Sequence, residues 1–219
     1  MIQDDKEVTI NYSDLLYYYS IRHIGQMKPP IPNDEQRKLA CHNPETAYIY
    51  ALEVDRGPHN DTRTAACREQ KWAYKYAGEI DRCPHDDTRA AICKGEPHFA
   101  VAYADFIDKT PRDDTRIAAC RTPYSAYQYA RYVDEEARDD TRTAACGCPQ
   151  SAYLYARHVD KAPLAYTRAA VCCSPHWACA YAQNVDQEPR DDTRAATYGD
   201  GTCAKEYRRL FEDGRFVVA

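Results

Sequence analysis

Three groups of side chains in this sequence are of types that can do chemistry. The first is the cysteine-rich run Cys172-Cys173-Ser174-Pro175-His176-Trp177-Ala178-Cys179, with Cys146-Gly147-Cys148 a little before it. Thiolate and imidazole are zinc's usual ligands. Structural zinc sites draw their ligands in spaced pairs, and no paired C-x-x-C set occurs here. A nucleophilic cysteine needs a histidine to take its proton, and no cysteine has a recurring histidine partner. The second group is arginine. A Thr-Arg-x-Ala-Ala-like pattern places Arg63, Arg89, Arg116, Arg142, Arg168 and Arg194 in one column, with Arg37 in a degenerate first copy. Such a row offers a phosphate-binding ridge. The third group is aspartate, in pairs such as Asp113-Asp114 and singly at Asp55, Asp81, Asp108, Asp134, Asp160 and Asp186. The pairs have the chemistry for a cation, but they stand where helices start, as caps do. The single aspartates share the arginines' period. Two columns of opposite charge at one period predict a ladder of Arg–carboxylate hydrogen bonds between neighbouring repeats, a scaffold rather than a site.

The elements that position these residues follow from the period. The pattern recurs every 26 residues, once after 27, and a cysteine follows each of the first six arginines by four residues: Cys41, Cys67, Cys93, Cys120, Cys146 and Cys172. A fixed period of this size means a repeat array. Each repeat reads as two short helices. The first starts at an aspartate such as Asp113 and ends near the cysteine; the second starts at a proline (Pro44, Pro97, Pro123, Pro149, Pro175) and ends at Val133-Asp134 or its equivalent. Ala126, Tyr129, Ala130 and Val133 share one helical face, and the tyrosine column Tyr50, Tyr76, Tyr103, Tyr129, Tyr155 and Tyr181 is unbroken. The expected fold is all-α: an α-solenoid of short helical hairpins. Residues 1–31 read as a polar arm and an N-terminal capping helix ending near Gln26, 32–197 as the repeat array, and 198–219 as a C-terminal capping helix, begun at Thr202, and tail. Two irregularities interrupt the array: Lys94-Gly95-Glu96 lengthens one turn, and Leu164-Ala165-Tyr166 replaces Arg-Asp-Asp.

The opposite face of the second helix shares no residue type from repeat to repeat. It carries Lys75, Glu79, Phe106, Gln128, Arg131, Tyr132, Leu154, Arg157 and His158. Repetition marks the core, so variation marks a free surface, and a solenoid's extended free face suits a partner. Composition narrows the partner. The net charge of -5, with basic residues scattered, argues against nucleic acid. No apolar run approaches the roughly 18 residues that span a bilayer. Eleven cysteines, an odd number, behind the polar start Met1-Ile2-Gln3-Asp4-Asp5-Lys6 point to a reducing cytoplasm and buried thiols. The histidines His23, His42, His59, His85, His98 and His158 are scattered at turns and surface positions and mostly read as solvated. No cofactor, metal or catalytic residue is expected.

The run Pro-Arg-Asp-Asp-Thr-Arg-x-Ala-Ala-Cys-x-x-Pro-x-x-Ala-Tyr-x-Tyr-Ala-x-x-Val-Asp resembles repeats found in uncharacterised proteins of tailed bacteriophages, over about residues 32–197. The resemblance implies no activity. It makes a bacterial host factor the natural partner, in the host cytoplasm, and inhibition of a defence protein the natural purpose. The leading expectation is a non-enzymatic protein-binding scaffold. The alternative is a small-molecule or nucleotide sponge with arginines and tyrosines lining a groove.

Overall fold

The computed structural model describes residues 31–213; the arm, the N-terminal capping helix and the last residues of the C-terminal tail lie outside that range. The chain is an all-α solenoid of repeated short hairpins, with no strand among the described residues. It forms two compact units. One holds the chain up to Phe99 together with Phe106–Asp108, and the other holds Ala100–Asp105 with the chain from Lys109 onward.

First helices are Asp34–Ala40, Asn60–Ala66, Asp86–Lys94, Asp113–Ala119, Asp139–Ala145, Ala165–Val171 and Asp191–Thr197. Second helices begin at Pro44, Gln70, Pro97, Pro123, Pro149 and Pro175, and Gly201–Phe211 closes the array. Most are seven residues long, well below the length at which a helix stands alone in water. They therefore depend on packing. Within each unit, a second helix packs chiefly on the first helix of the next hairpin: Pro44–Tyr50 on Asn60–Ala66 in the first unit, and Pro123–Tyr129 on Asp139–Ala145 in the second. Alanines make the approach close. Ala118, Ala119, Ala126, Ala130 and Ala145 are buried, as are the equivalents of Ala126 and Ala130 at Ala152, Ala156, Ala178 and Ala182, and small side chains let large tyrosines fill what remains.

The aspartate pairs sit one residue later than the cap reading places them. Asp113 is the first residue inside its helix, and the cap position belongs to Arg112, whose side chain makes no capping bond. The same holds at Arg138 and Arg190. In the first unit the cap position does carry acceptors: Asn33 Oδ1, and the Nδ1 atoms of His59 and His85, which accept from Asp61 and Asp87 N–H at 3.3 Å. Those two histidines are thus solvated side chains that also cap helices. Likewise the last helix is capped by Asp200, not Thr202: Asp200 Oδ1 accepts from the N–H groups of Thr202 and Cys203, each at 2.9 Å.

The second helices do not end as α-helices. Each widens into a π segment: Ala51–Asp55, Tyr76–Asp81, Ala104–Asp108, Ala130–Asp134, Ala156–Asp160 and Ala182–Asp186. The N–H five residues on closes the wide turn, as in Lys109 N–H to Ala104 C=O at 2.8 Å and Gln187 N–H to Ala182 C=O at 2.9 Å. The next residue is left-handed in every repeat, and none is glycine: Arg56, Arg82, Lys109, Glu135, Lys161 and Gln187 have φ between 52° and 55°. A side chain with a Cβ is strained there. Glu135→Gly should therefore stabilise the protein by about 1 kcal/mol, and Glu135→Val should destabilise it further. Chemical denaturation of the full chain checks both signs.

Candidate functional site

The repeated polar residues form a closed set inside each hairpin. Arg116, on a first helix, donates through Nε and Nη2 to Asp134, at the end of the second helix, at 3.1 and 2.8 Å. Its Nη1 donates to Asp113 at 2.7 Å, and its guanidinium lies 5.6 Å from the centre of the Tyr129 ring. Asp134 has a side chain only 1 % exposed, while Asp113 is 92 % exposed. The hydrogen bonds to Asp134 raise the arginine's proton affinity most, with burial opposing them. Both partners belong to one hairpin. The predicted ladder between neighbours is instead a clasp within each repeat, because the π turn swings the aspartate back over its own first helix.

The clasp recurs at Arg37–Asp55, Arg63–Asp81, Arg89–Asp108, Arg142–Asp160 and Arg168–Asp186. The pairing starts at Arg37, so Arg194 has no column aspartate; it meets Glu212 at 3.3 Å and is 42 % exposed. Arg168 lacks the outer partner, because Ala165 stands where other repeats have Asp or Asn; its Nη1 reaches only Asp192, at 4.0 Å. At Asp186 burial outweighs Arg168 and pushes the carboxyl's pKa up.

Beside the clasp, the tyrosine column has a role that its burial alone does not reveal. Tyr129 Oη accepts from Arg112 N–H at 2.9 Å, donates to Arg112 C=O at 3.0 Å, and lies 2.8 Å from Thr115 Oγ1. One buried hydroxyl thus holds the backbone at the start of its hairpin's first helix. Tyr76, Tyr155, Tyr181 and Tyr207 bond the matching backbone groups of His59, Arg138, Leu164 and Arg190. The long turn also has a partner. Gln70 stands in the proline column, and its Nε2 donates to Ile92 C=O and Glu96 C=O at 2.8 and 3.0 Å, while its Oε1 accepts from Glu96 N–H at 2.7 Å. A Cβ at Gly95 would run into that side chain. The missing proline and the inserted residue are one feature, and beside it lies an open cavity of about 430 Å³ lined by Cys67, Arg68, Asp87 and Lys94.

The column cysteines Cys41, Cys67, Cys93, Cys120, Cys146 and Cys172 are half-buried, not buried as the sequence pattern suggests; all but Cys93 stand at the C-cap of the first helix, where the chain turns, and Cys179 is the buried thiol. Burial still pushes Cys67, Cys120, Cys146 and Cys172 up to about 11. Among the described residues, no group of three or more His, Cys, Asp or Glu side chains is placed to hold a metal, and no helix is long and apolar enough to cross a membrane.

The variable face divides between the two units. In the first, Lys75 lies over the Tyr48 and Trp72 rings at 5.6 and 5.3 Å, and Glu79 accepts from the Tyr48 hydroxyl. Phe106 also belongs to the first unit and is 66 % exposed. In the second, Arg131 lies 5.4 Å over the Tyr132 ring, Arg157 Nη1 donates to Tyr153 Oη at 2.5 Å, and the His158 ring stands 6.4 Å from Tyr127. Gln128 is half-buried. Leu154 packs on two core clusters, so it is not free surface. Phe106 belongs to the first unit, and Arg131 and Tyr132 to the second, so each is a candidate within its own unit. Ile117, 69 % exposed, fills the variable x of Thr-Arg-x-Ala, and that variability is the one signal in the sequence that points to it.

Comparison with protein-family models, curated proteins and solved structures finds no match for this chain.

Two measurements test the scaffold. Arg116→Met leaves Asp134 buried and unpaired, so it should cost on the order of 3–5 kcal/mol by denaturation; parent-like stability would show the guanidinium dispensable. At pH 8 Cys67, Cys120, Cys146 and Cys172 hold roughly a hundredfold less thiolate than an unperturbed cysteine. They should label far more slowly than exposed Cys83 and Cys173, and their rate should keep rising as pH approaches 11. Labelling of Cys120 as fast as that of Cys173 overturns the assignment.

Proposed function

We propose that the chain is a non-enzymatic scaffold that binds another protein through the outer face of its second helices. One observation carries this reading. The tyrosine, threonine and clasp-aspartate columns that repeat are largely buried and bonded within their hairpins, whereas the positions that vary put large aromatic side chains into solvent: Phe106 at 66 %, Tyr124 at 52 % and Tyr132 at 50 % exposure. Folding gains nothing from leaving such surface wet, and aromatic and arginine side chains are the types enriched at binding hot spots. The resemblance to phage repeat proteins supplies the setting: a host factor as partner, met in the host cytoplasm, with inhibition of a defence protein as the purpose.

The sponge reading requires guanidiniums available to phosphate. Six of the column arginines are matched by a column aspartate, which removes the ridge it depends on. The protein-binding reading is therefore preferred.

Capture from bacterial lysate with identification by mass spectrometry supplies the partner, and two separate variants then locate the contact. Tyr132→Ala or Phe106→Ala should weaken binding by about 2 kcal/mol, with the helical signal unchanged. If the partner binds both variants as tightly as the parent, the second-helix face is not the interface. The side around Leu164-Ala165-Tyr166 is then the place to test.

A further inference from the structure

The second unit carries a feature that its repeats do not share with the rest of the chain. Tyr127 and Arg131 stand four residues apart on one second helix, and Tyr153 and Arg157 repeat the arrangement 26 residues later. The arginine position holds Leu52, Gly78, Asp105 and Gln183 in the other hairpins and Arg209, paired with Glu206, in the closing helix, so packing does not call for an arginine without a carboxylate there. Both arginines lie in π segments, Ala130–Asp134 and Ala156–Asp160, and these two segments touch.

Their surroundings are aromatic rather than acidic. Arg157 is held by the Tyr153 hydroxyl and lies 5.8 Å from the centre of its ring. Arg131 stacks 5.4 Å over Tyr132 and lies beside Tyr127. Among the described residues neither has a carboxylate within ion-pair distance, whereas Arg116 and Arg142 on the same hairpins each have two. The acid nearest in sequence to each, Asp134 and Asp160, is taken by Arg116 and Arg142 at 2.8 and 2.9 Å. The positive field is felt locally: His158, next to Arg157, has its proton affinity lowered by burial and then by both arginines.

We infer that Arg131 and Arg157 are the acid-reading pair of the interface, and that the partner segment they take is acidic, with two carboxylates about 10 Å apart. That spacing is roughly the distance between packed neighbouring helices. It corresponds to about three residues of extended chain or two turns of helix. Each guanidinium is pre-ordered by a ring beneath it, so little side-chain freedom is lost when a carboxylate docks. The exposed rings of Tyr124 and Tyr132, both about half exposed, would flank the charges and exclude water around them. This inference rests on the protein-binding reading above and names the chemistry of its partner.

The probe is a fluorescein-labelled deca-glutamate peptide, followed by anisotropy with the full chain, beside a deca-glutamine control. The glutamate peptide should bind, and its affinity should fall as salt screens the contact. Arg131→Gln/Arg157→Gln should weaken it at least tenfold with an unchanged helical signal, and Lys38→Gln, on the first unit, should not. Failure of the peptide to bind, or equal binding by the double variant, overturns the inference. So does tighter, arginine-dependent binding of a labelled oligothymidylate, which would make the surface a nucleic-acid platform. The same double variant in the lysate capture separates the two readings. A partner retained at parental affinity removes the acidic-segment inference and leaves the scaffold standing; a parent chain that captures no protein removes the scaffold reading while the peptide result still judges the arginine pair.

Discussion

Everything in this fold depends on closing a hairpin whose helices are too short to hold themselves. One buried tyrosine hydroxyl and one buried Arg–Asp pair do so together. Tyr129 fixes the backbone of Arg112 at the entrance to the first helix, and Arg116 ties the middle of that helix to Asp134 at the end of the second. The arginine also lies over the tyrosine ring, so the two ties brace each other. Removing ions from water is costly, and a buried pair adds little net stability over an apolar one. What the pair adds is register. Only one alignment of the two helices satisfies a guanidinium, two carboxylates, a hydroxyl and a threonine at once, and alanine-lined helices would otherwise slide.

The clasp also accounts for the backbone's least regular part. An α-helical ending would leave the column aspartate pointing elsewhere, and the π turn widens the helix so that the carboxylate reaches the arginine. The left-handed residue that follows turns the chain toward the next first helix. That non-glycine residues occupy it six times, always with long polar side chains, shows a strain tolerated everywhere rather than reserved for a site. π turns often mark function; here their repetition marks construction.

The period, the helical hairpins, the buried tyrosine column and the Arg and Asp columns were all legible in the sequence, because each is a pattern in residue type. The partnership was only half legible. Periodicity says that Arg116 and an aspartate share a spacing, but pairing within a hairpin and pairing between hairpins give the same period. The difference lies in the π turn, which has no residue signature that hydrophobic spacing can detect. The same limit hid the helix start: Asp113 and Arg112 differ by one residue, and the tyrosine hydroxyl that satisfies the backbone comes from 17 residues away. On the variable face, contrast between repeats picked out Tyr132 and Arg131 but also Leu154, since residue variation cannot tell a solvent position from a cavity filled differently in each repeat.

That contrast becomes sharper once charge pairing is added to it. The first-helix ends of the second unit are acidic at Asp113, Asp114, Asp139 and Asp140, and their exposed carboxylates are answered by arginines on the same turns. On the second-helix face, the arginines at 131 and 157 have aromatic rings in place of counter-ions. An unpaired cation on a soluble surface is ordinary by itself. Two of them, in adjacent repeats of a scaffold that balances its other columns of charge, are harder to explain by folding, because the same hairpin closes without them at Gly78 and Gln183. The fold therefore leaves the positions free, and the chemistry placed there is directed outward.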